Sequence, residues 1–199
     1  RPEDGAQVHE NQEAQEEEVA AEGLTRNIPA FSRFLEVAAL CNSQLINYAK
    51  ISNDAQVARS TVQEYFQILK DTLLAWEVTA WRRSKKRKPL GTSKFYFFDP
   101  GVVRFLQNRS LIRKGSPEFG GAFETYLFHE LKTFADYCRA GEITYWRSAS
   151  GYEVDFILAD TTAIEVKASR TVGLQDLKGL KALREEGRLK HYILASLEE

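Results

Sequence analysis

The sequence predicts a mixed α/β (α+β) chain, with a winged helix-turn-helix followed by an α-β-β-β-α-β unit. Three observations carry this. Between residues 30 and 75, apolar side chains recur three to four positions apart in short runs broken by polar turns. Beyond residue 76, aromatic and β-branched residues gather in short runs bounded by turn residues, which is strand chemistry. Charge is also partitioned. Residues 1–24 carry one Arg against eight acids (−7), residues 25–117 sixteen Lys or Arg against six (+10), and residues 118–199 ten against fourteen (−4). Such asymmetry points to separate roles and divides the chain into an acidic linker and helix (1–29), a winged-helix unit (30–107), a linker (108–117) and a second unit (118–199).

Residues 1–12 lack apolar periodicity and read as disordered, while Glu13 to Leu24 has helix-favouring composition. Asn27-Ile28-Pro29 interrupts, because proline disfavours helix in the residue before it. A helix over Ala30 to Cys41 follows, with Phe31, Phe34, Leu35, Ala38 and Ala39 on one face, then a short helix from Ile46 to Asn53. A polar turn at Val57–Ser60, with Ser60 as N-cap, enters a third helix from Thr61 to Ala75. Its face holds Val62, Tyr65, Phe66, Leu69 and Leu73. Strands at Trp76–Trp81 and Lys94–Phe98 then flank a basic loop and make a wing, and Val102 to Gln107 forms a short closing helix. The aromatic residues Trp76, Trp81 and Phe95–Phe98 read as core.

In the second unit a long helix spans Pro117 to Cys138, with Phe123, Leu127, Leu131 and Phe134 as its buried face. Strands are expected at Ile143–Arg147, Tyr152–Leu158 and Thr162–Ala168, a helix at Leu174–Glu186 and a last strand at His191–Ala195.

Composition excludes several classes. No run approaches the roughly 18 apolar residues of a membrane helix, and no signal-peptide pattern opens the chain, so a soluble, cytoplasmic protein with no membrane partner is expected. Cys41 and Cys138 stand far apart and read as free thiols, and the scattered His9, His129 and His191 give no zinc spacing. The sequence contains no Met and opens on a Glu-rich run, which reads as a fragment of something longer or a processed start.

Candidate chemistry lies on the strands of the second unit. Side chains alternate along a strand, so Glu165 and Lys167 share one face while Ile164, Val166 and Ala168 take the other. Likewise Glu153 and Asp155 are expected opposite Val154 and Phe156. Ala159-Asp160-Thr161 is short enough for a hairpin, which sets Asp155 opposite Glu165. Facing carboxylates repel unless a cation separates them, and Mg²⁺ or Mn²⁺ takes such oxygen ligands. Glu124, on the first helix, completes a candidate metal set of Asp155, Glu165 and Glu124. Lys167 beside it would orient water and offset phosphate charge, and Gly120-Gly121 would let that helix approach the sheet. The competing reading is a solvated strand face with cross-strand salt bridges. Glu153 is open between a further ligand and a brace for Arg147 or Lys167.

The spacing of Asp155 and Glu165-Val166-Lys167, behind a Glu-bearing helix, resembles the PD-(D/E)XK nuclease superfamily, as does the element order. Gly121-Ala122-Phe123-Glu124, Trp146-Arg147, Gly151-Tyr152-Glu153-Val154-Asp155-Phe156 and Ile164-Glu165-Val166-Lys167-Ala168-Ser169 resemble the DUF4143 family over roughly residues 13–199. Phe95-Tyr96-Phe97-Phe98-Asp99-Pro100-Gly101 resembles that family's preceding strand and turn. The resemblance implies the C-terminal part of an AAA+-type ATPase, with an N-terminal ATPase domain as expected partner. No P-loop motif occurs in this chain, so ATP hydrolysis is not expected of it.

DNA is the other expected partner. Arg82, Arg83, Lys85, Lys86, Arg87 and Lys88 form a loop suited to phosphate contacts with steep salt dependence. Arg59, Ser60, Thr61 and Gln63, at the start of the third helix, would face a groove. Three functions follow: a metal-dependent nuclease module, a catalytically silent nucleic-acid-binding or regulatory module, and a docking module for an ATPase domain.

Overall fold

The computed structural model describes residues 27–109 and 111–197. The expected helix over Glu13 to Leu24 and the disordered start lie outside them. Among the described residues the chain is a mixture of helix and sheet, in the order α1 (Ile28–Leu40), α2 (Tyr48–Ala55), α3 (Arg59–Asp71), β1 (Ala75–Val78), β2 (Lys94–Phe97), α4 (Pro100–Leu106), α5 (Pro117–Cys138), β3 (Ile143–Arg147), β4 (Glu153–Leu158), β5 (Thr162–Lys167), α6 (Lys178–Arg184) and β6 (His191–Ser196). No described helix is long and apolar enough to cross a membrane.

Helices α1–α3 bury an aromatic core in which Phe34 stacks edge-on against Phe66, with ring centroids 5.0 Å apart. Pro29 opens α1 rather than interrupting it, because a proline in the first turn lacks only an N–H that would have no partner there. Ser60 is not a cap. The helix begins at Arg59 after Ala58, and no side-chain hydrogen bond closes its end. α3 also stops earlier than expected. Leu73 takes a left-handed conformation (φ 58°) and lies exposed instead of extending the buried face.

Among the described residues the sheets are two: an antiparallel β1-β2 pair, and β3-β4-β5-β6, in which β6 joins β5 in parallel. β2 is buried on both faces. Phe95 and Phe97 enter the α1–α3 core, whereas Tyr96, two residues on from Lys94, packs in the core formed by α5 and the larger sheet. Its ring stacks on Phe128 with centroids 4.5 Å apart. The segment between β1 and β2 runs along the edge of β3. Trp81 N–H donates to the Tyr145 carbonyl and Leu90 N–H to the Arg147 carbonyl.

α5 has the expected bounds, but its buried face differs. Thr125, Phe128 and Ala135 are the fully buried positions, while Phe134 is exposed, since the face against the sheet lies one step round the helix. α6 is shorter than expected, seven residues, and Leu174 is exposed outside it. It lies very close to β4: a Cβ at Gly179 would stand 1.8 Å from the Glu153 carbonyl oxygen. By contrast, Gly120 and Gly121 are not sites of close approach. A Cβ would meet nothing within 4 Å at the first and only Ser43 Oγ at 3.6 Å at the second.

Candidate functional site

The β4–β5 hairpin turns through Ala159 and Asp160, both left-handed (φ 53° and 56°). Its ladder pairs Leu158 with Thr162, Ile157 with Ala163 and Phe156 with Ile164. The next positions outward are Asp155 and Glu165, as the hairpin spacing requires. The β3–β4 ladder, however, shifts register between Thr144 and Trp146, so that Ile157 faces Thr144 and Val154 faces Trp146. One extra β4 residue is thereby accommodated, a bulge of the kind that re-aims side chains. This corrects the alternation expected of β4. Val154 packs with α6 in one core while Phe156 packs with α5 in the other.

Glu124, Asp155, Glu165 and Lys167 line one open cleft of about 590 Å³ together with Lys94, Arg147 and Glu153. Asp155 and Glu165 are buried. The Val166 N–H donates to Asp155 Oδ2 at 2.8 Å, and Lys167 Nζ donates to Glu165 Oε1 at 2.7 Å. Glu165 Oε2 is buried without a hydrogen-bond partner. Burial, then the nearby Glu124 and Glu165 charges, pushes the Asp155 carboxyl well above the usual aspartate range, against the pull of Lys94 and the Val166 N–H. Burial likewise raises the Glu165 carboxyl, although the Lys167 hydrogen bond opposes it.

Lys94 is the residue that sequence reasoning missed. It leaves β2 buried, at 3% exposure. Its Nζ lies 2.8 Å from Glu153 Oε1, 3.3 Å from Glu124 Oε1 and 3.9 Å from Asp155 Oδ1. Burial disfavours its charge, but Glu124, Glu153 and Asp155 outweigh that and hold the ammonium above the ordinary lysine value. Tyr96 Oη, from the same strand face, donates to Glu124 Oε1 at 2.6 Å. The available signal was the two-residue spacing of Lys94 and Tyr96: if Tyr96 enters the second core, Lys94 must too. Glu153 braces Arg147, at 3.3 Å, and Lys94 rather than Lys167.

The donor set suits a hard divalent ion chemically, since it is made of carboxylate oxygens. The arrangement does not fit one. The Lys94 ammonium already stands among Glu124, Glu153 and Asp155, and among the described residues no three His, Cys, Asp or Glu side chains gather closely enough to hold a metal.

The basic loop is not a free wing. Lys85 and Lys86 N–H groups donate to Glu186 Oε2 at 2.7 and 2.8 Å. Arg87 donates to the Ala182 carbonyl at 2.9 Å and to Glu185 Oε2 at 2.5 Å, and its guanidinium lies 5.3 Å from the Tyr152 ring centroid. Arg83 pairs with Asp160 at 2.8 Å. Arg82, Arg83, Lys85, Lys86 and Lys88 are nevertheless exposed. On α3, Arg59, Ser60 and Gln63 are exposed and Thr61 is half-buried.

Two family models match this chain. Domain of unknown function (DUF8612) covers residues 9–112, just over half of it, and Domain of unknown function (DUF4143) covers residues 119–197. The DUF4143 likeness, expected from about residue 13 onward, is therefore confined to the second half. Among curated proteins, "Uncharacterized protein Rv2008c" of Mycobacterium tuberculosis and "Uncharacterized protein Mb2031c" of Mycobacterium bovis are each 23% identical over 142 residues. The match takes in 70% of this chain and 32% of either relative, so the chain spans about a third of their length. No solved structure matches.

Proposed function

Because the chain belongs to the DUF8612 family, with a DUF4143 domain behind that match, we propose that it is a nucleic-acid-binding module of a longer protein whose nuclease-like cleft is catalytically silent as folded. The position of Lys94 carries this reading. A lysine ammonium buried among Glu124, Glu153 and Asp155 supplies the positive charge that the carboxylates need, where a PD-(D/E)XK-type site would use a divalent ion. The nucleic-acid half rests on the loop from Arg82 to Lys88. Its backbone is anchored on Glu186 while the side chains of Lys85, Lys86 and Lys88 face solvent, a fixed array of cations suited to phosphates. In a winged-helix reading of the first half, Arg59, Ser60 and Gln63 would add contacts from α3.

The test is fluorescence anisotropy of a labelled DNA duplex across a salt series. Lys85→Glu, Lys86→Glu and Lys88→Glu together should weaken binding at low salt and flatten log K against log salt by about 2–3 units of slope, at roughly 0.9 for each phosphate that is no longer neutralised. Unchanged affinity and slope would move the loop from nucleic acid to a protein partner, for which the AAA+-type ATPase domain implied by the DUF4143 resemblance is the first candidate.

A second reading has one observation in its favour. Glu165 Oε2 is buried and unpartnered, as a metal ligand would be without its ion. In that reading Glu124, Asp155 and Glu165 hold Mg²⁺ or Mn²⁺ and Lys167 stands beside them in a phosphodiesterase.

A further inference from the structure

The basic segment ahead of β2 lies against the end of α6. Glu186 accepts from the Lys85 and Lys86 N–H groups, and Arg87 reaches the Ala182 carbonyl and Glu185. The second half is acidic as a whole, yet residues 178–190 carry five Lys or Arg against two acids. Those acids are Glu185 and Glu186, both taken up by the basic segment. Lys178, Lys181, Arg184, Arg188 and Lys190 are exposed, so α6 and the residues after it continue the cationic surface of Lys85, Lys86 and Lys88.

A second cleft, of about 570 Å³, opens beside this surface, within the roughly 300–1,000 Å³ that small-molecule sites occupy. Lys178 and Lys181 line it from one face of α6, Arg87 from the basic segment and Tyr152 from the turn ahead of β4. The Tyr152 backbone is pinned: its carbonyl accepts from the Ser148 N–H at 2.8 Å, and its N–H donates to Ser148 Oγ at 3.1 Å. Tyr152 is 36% exposed, and the Arg87 guanidinium stands 5.3 Å from its ring centroid. Unpaired bases stack on aromatic rings and arginine planes of this kind. Glu165 reaches the same cleft with its side chain 9% exposed. Lys167 satisfies Oε1, whereas Oε2 meets no donor among the described residues. A buried carboxylate oxygen calls for an N–H, which an unpaired base can carry into a cleft on its amino group and a stacked base pair cannot.

We infer that this cleft is a subsite for one unpaired nucleotide of a single-stranded nucleic acid. Its base lies on the Tyr152–Arg87 pair with an amino group donating to Glu165 Oε2, and the adjoining phosphates lie on Lys178 and Lys181. The basic segment holds the strand on either kind of nucleic acid, and the cleft adds a contact that only a single strand can make. This inference rests on the nucleic-acid half of the function proposed above and narrows it to a strandedness and a base chemistry.

The experiment is fluorescence anisotropy of the full chain with labelled oligo-dC, oligo-dT and a duplex of equal length, in metal-free buffer across a salt series. Wild type should bind oligo-dC several-fold tighter than oligo-dT, because cytosine carries an amino group and thymine a carbonyl in its place. Glu165→Gln should abolish or reverse that preference, since its amide oxygen stays on Lys167 and its NH₂ replaces Oε2. Tyr152→Ala should weaken oligo-dC roughly fivefold or more and leave the duplex unchanged, while Tyr152→Phe keeps wild-type binding. Lys178→Ala with Lys181→Ala should lower the salt slope for oligo-dC by about 1.4, at roughly 0.7 for each phosphate of a single strand. Both lysines are exposed, so this variant remains available should Tyr152→Ala not fold. Oligo-dC binding as in wild type by the folded Tyr152 and lysine variants overturns the inference, and so does an equal loss on oligo-dC and duplex. If the triple variant of Lys85, Lys86 and Lys88 still weakens binding in that case, the nucleic-acid reading stands without the cleft. If no variant changes any binding, both fail.

Discussion

At the scale of single residues, burial of like charges makes Asp155 a liability that the site tolerates. Its carboxyl holds a proton more tightly in the folded chain than in the unfolded one, first because it is buried and then because Glu124 and Glu165 are close. A raised carboxyl pKa means that wild-type stability falls as pH rises from the unfolded aspartate value of about 3.9 through the folded value, and stays reduced above it. Asp155→Asn removes that loss while its side-chain oxygen can still accept the Val166 N–H. The variant should therefore melt at or a few degrees above wild type near pH 8 in metal-free buffer, with the advantage vanishing as pH approaches 4. Melting several degrees below wild type at pH 8 would show that the charge is net stabilising, as in a salt-bridged strand face. Asp155, Glu165, Lys167 and Glu124 were legible in the sequence because strand alternation and hairpin length are local rules. Lys94 was not, because nothing local says that the face of β2 carrying Tyr96 turns toward the second half.

At the scale of elements, the strongest steric demand falls on α6. Its second residue, Gly179, meets the backbone of β4 at Glu153, one of the acids that hold Lys94. Gly179→Ala should lower stability by about 3 kcal/mol or more, because a carbonyl oxygen cannot rotate away as a side chain can and the helix itself must move. Gly120→Ala, in α5 with open space around it, should be neutral or stabilising by up to about 1 kcal/mol. Urea unfolding of both variants checks the pair, and equal midpoints would mean that α6 is not locked on β4. Sequence periodicity found every described strand and helix to within a few residues, α5 to its exact ends. It misplaced the role of glycine, which the sequence shows at Gly120-Gly121 as conspicuously as at Gly179. It also could not show the extra β4 residue, because a bulge leaves the pattern of apolar residues in Val154-Asp155-Phe156-Ile157 looking like an ordinary buried strand.

At the scale of the whole molecule, the two halves are joined by β2, whose odd residues pack into the α1–α3 core and whose even residues pack on α5 and the larger sheet. The basic segment between β1 and β2 completes the join by running along β3 and onto Glu186. Charge partition along the sequence was legible as +10 against −4, and part of that complementarity is used internally: Arg83 on Asp160, Arg87 on Glu185, Lys94 on Glu124 and Glu153. Hence the basic stretch joins the two halves of the chain, a use that the sequence alone could not separate from contact with a polyanion. On the function proposed above, a cleft whose cation is its own lysine would leave nucleic acid held by the exposed loop uncut. The most direct measurement is incubation of wild-type chain with supercoiled and linear DNA in millimolar Mg²⁺ or Mn²⁺, read on one gel for retardation and for nicking. The prediction is retarded DNA that remains intact. Nicking or linearisation by wild type that Asp155→Asn and Lys167→Ala each abolish would contradict it.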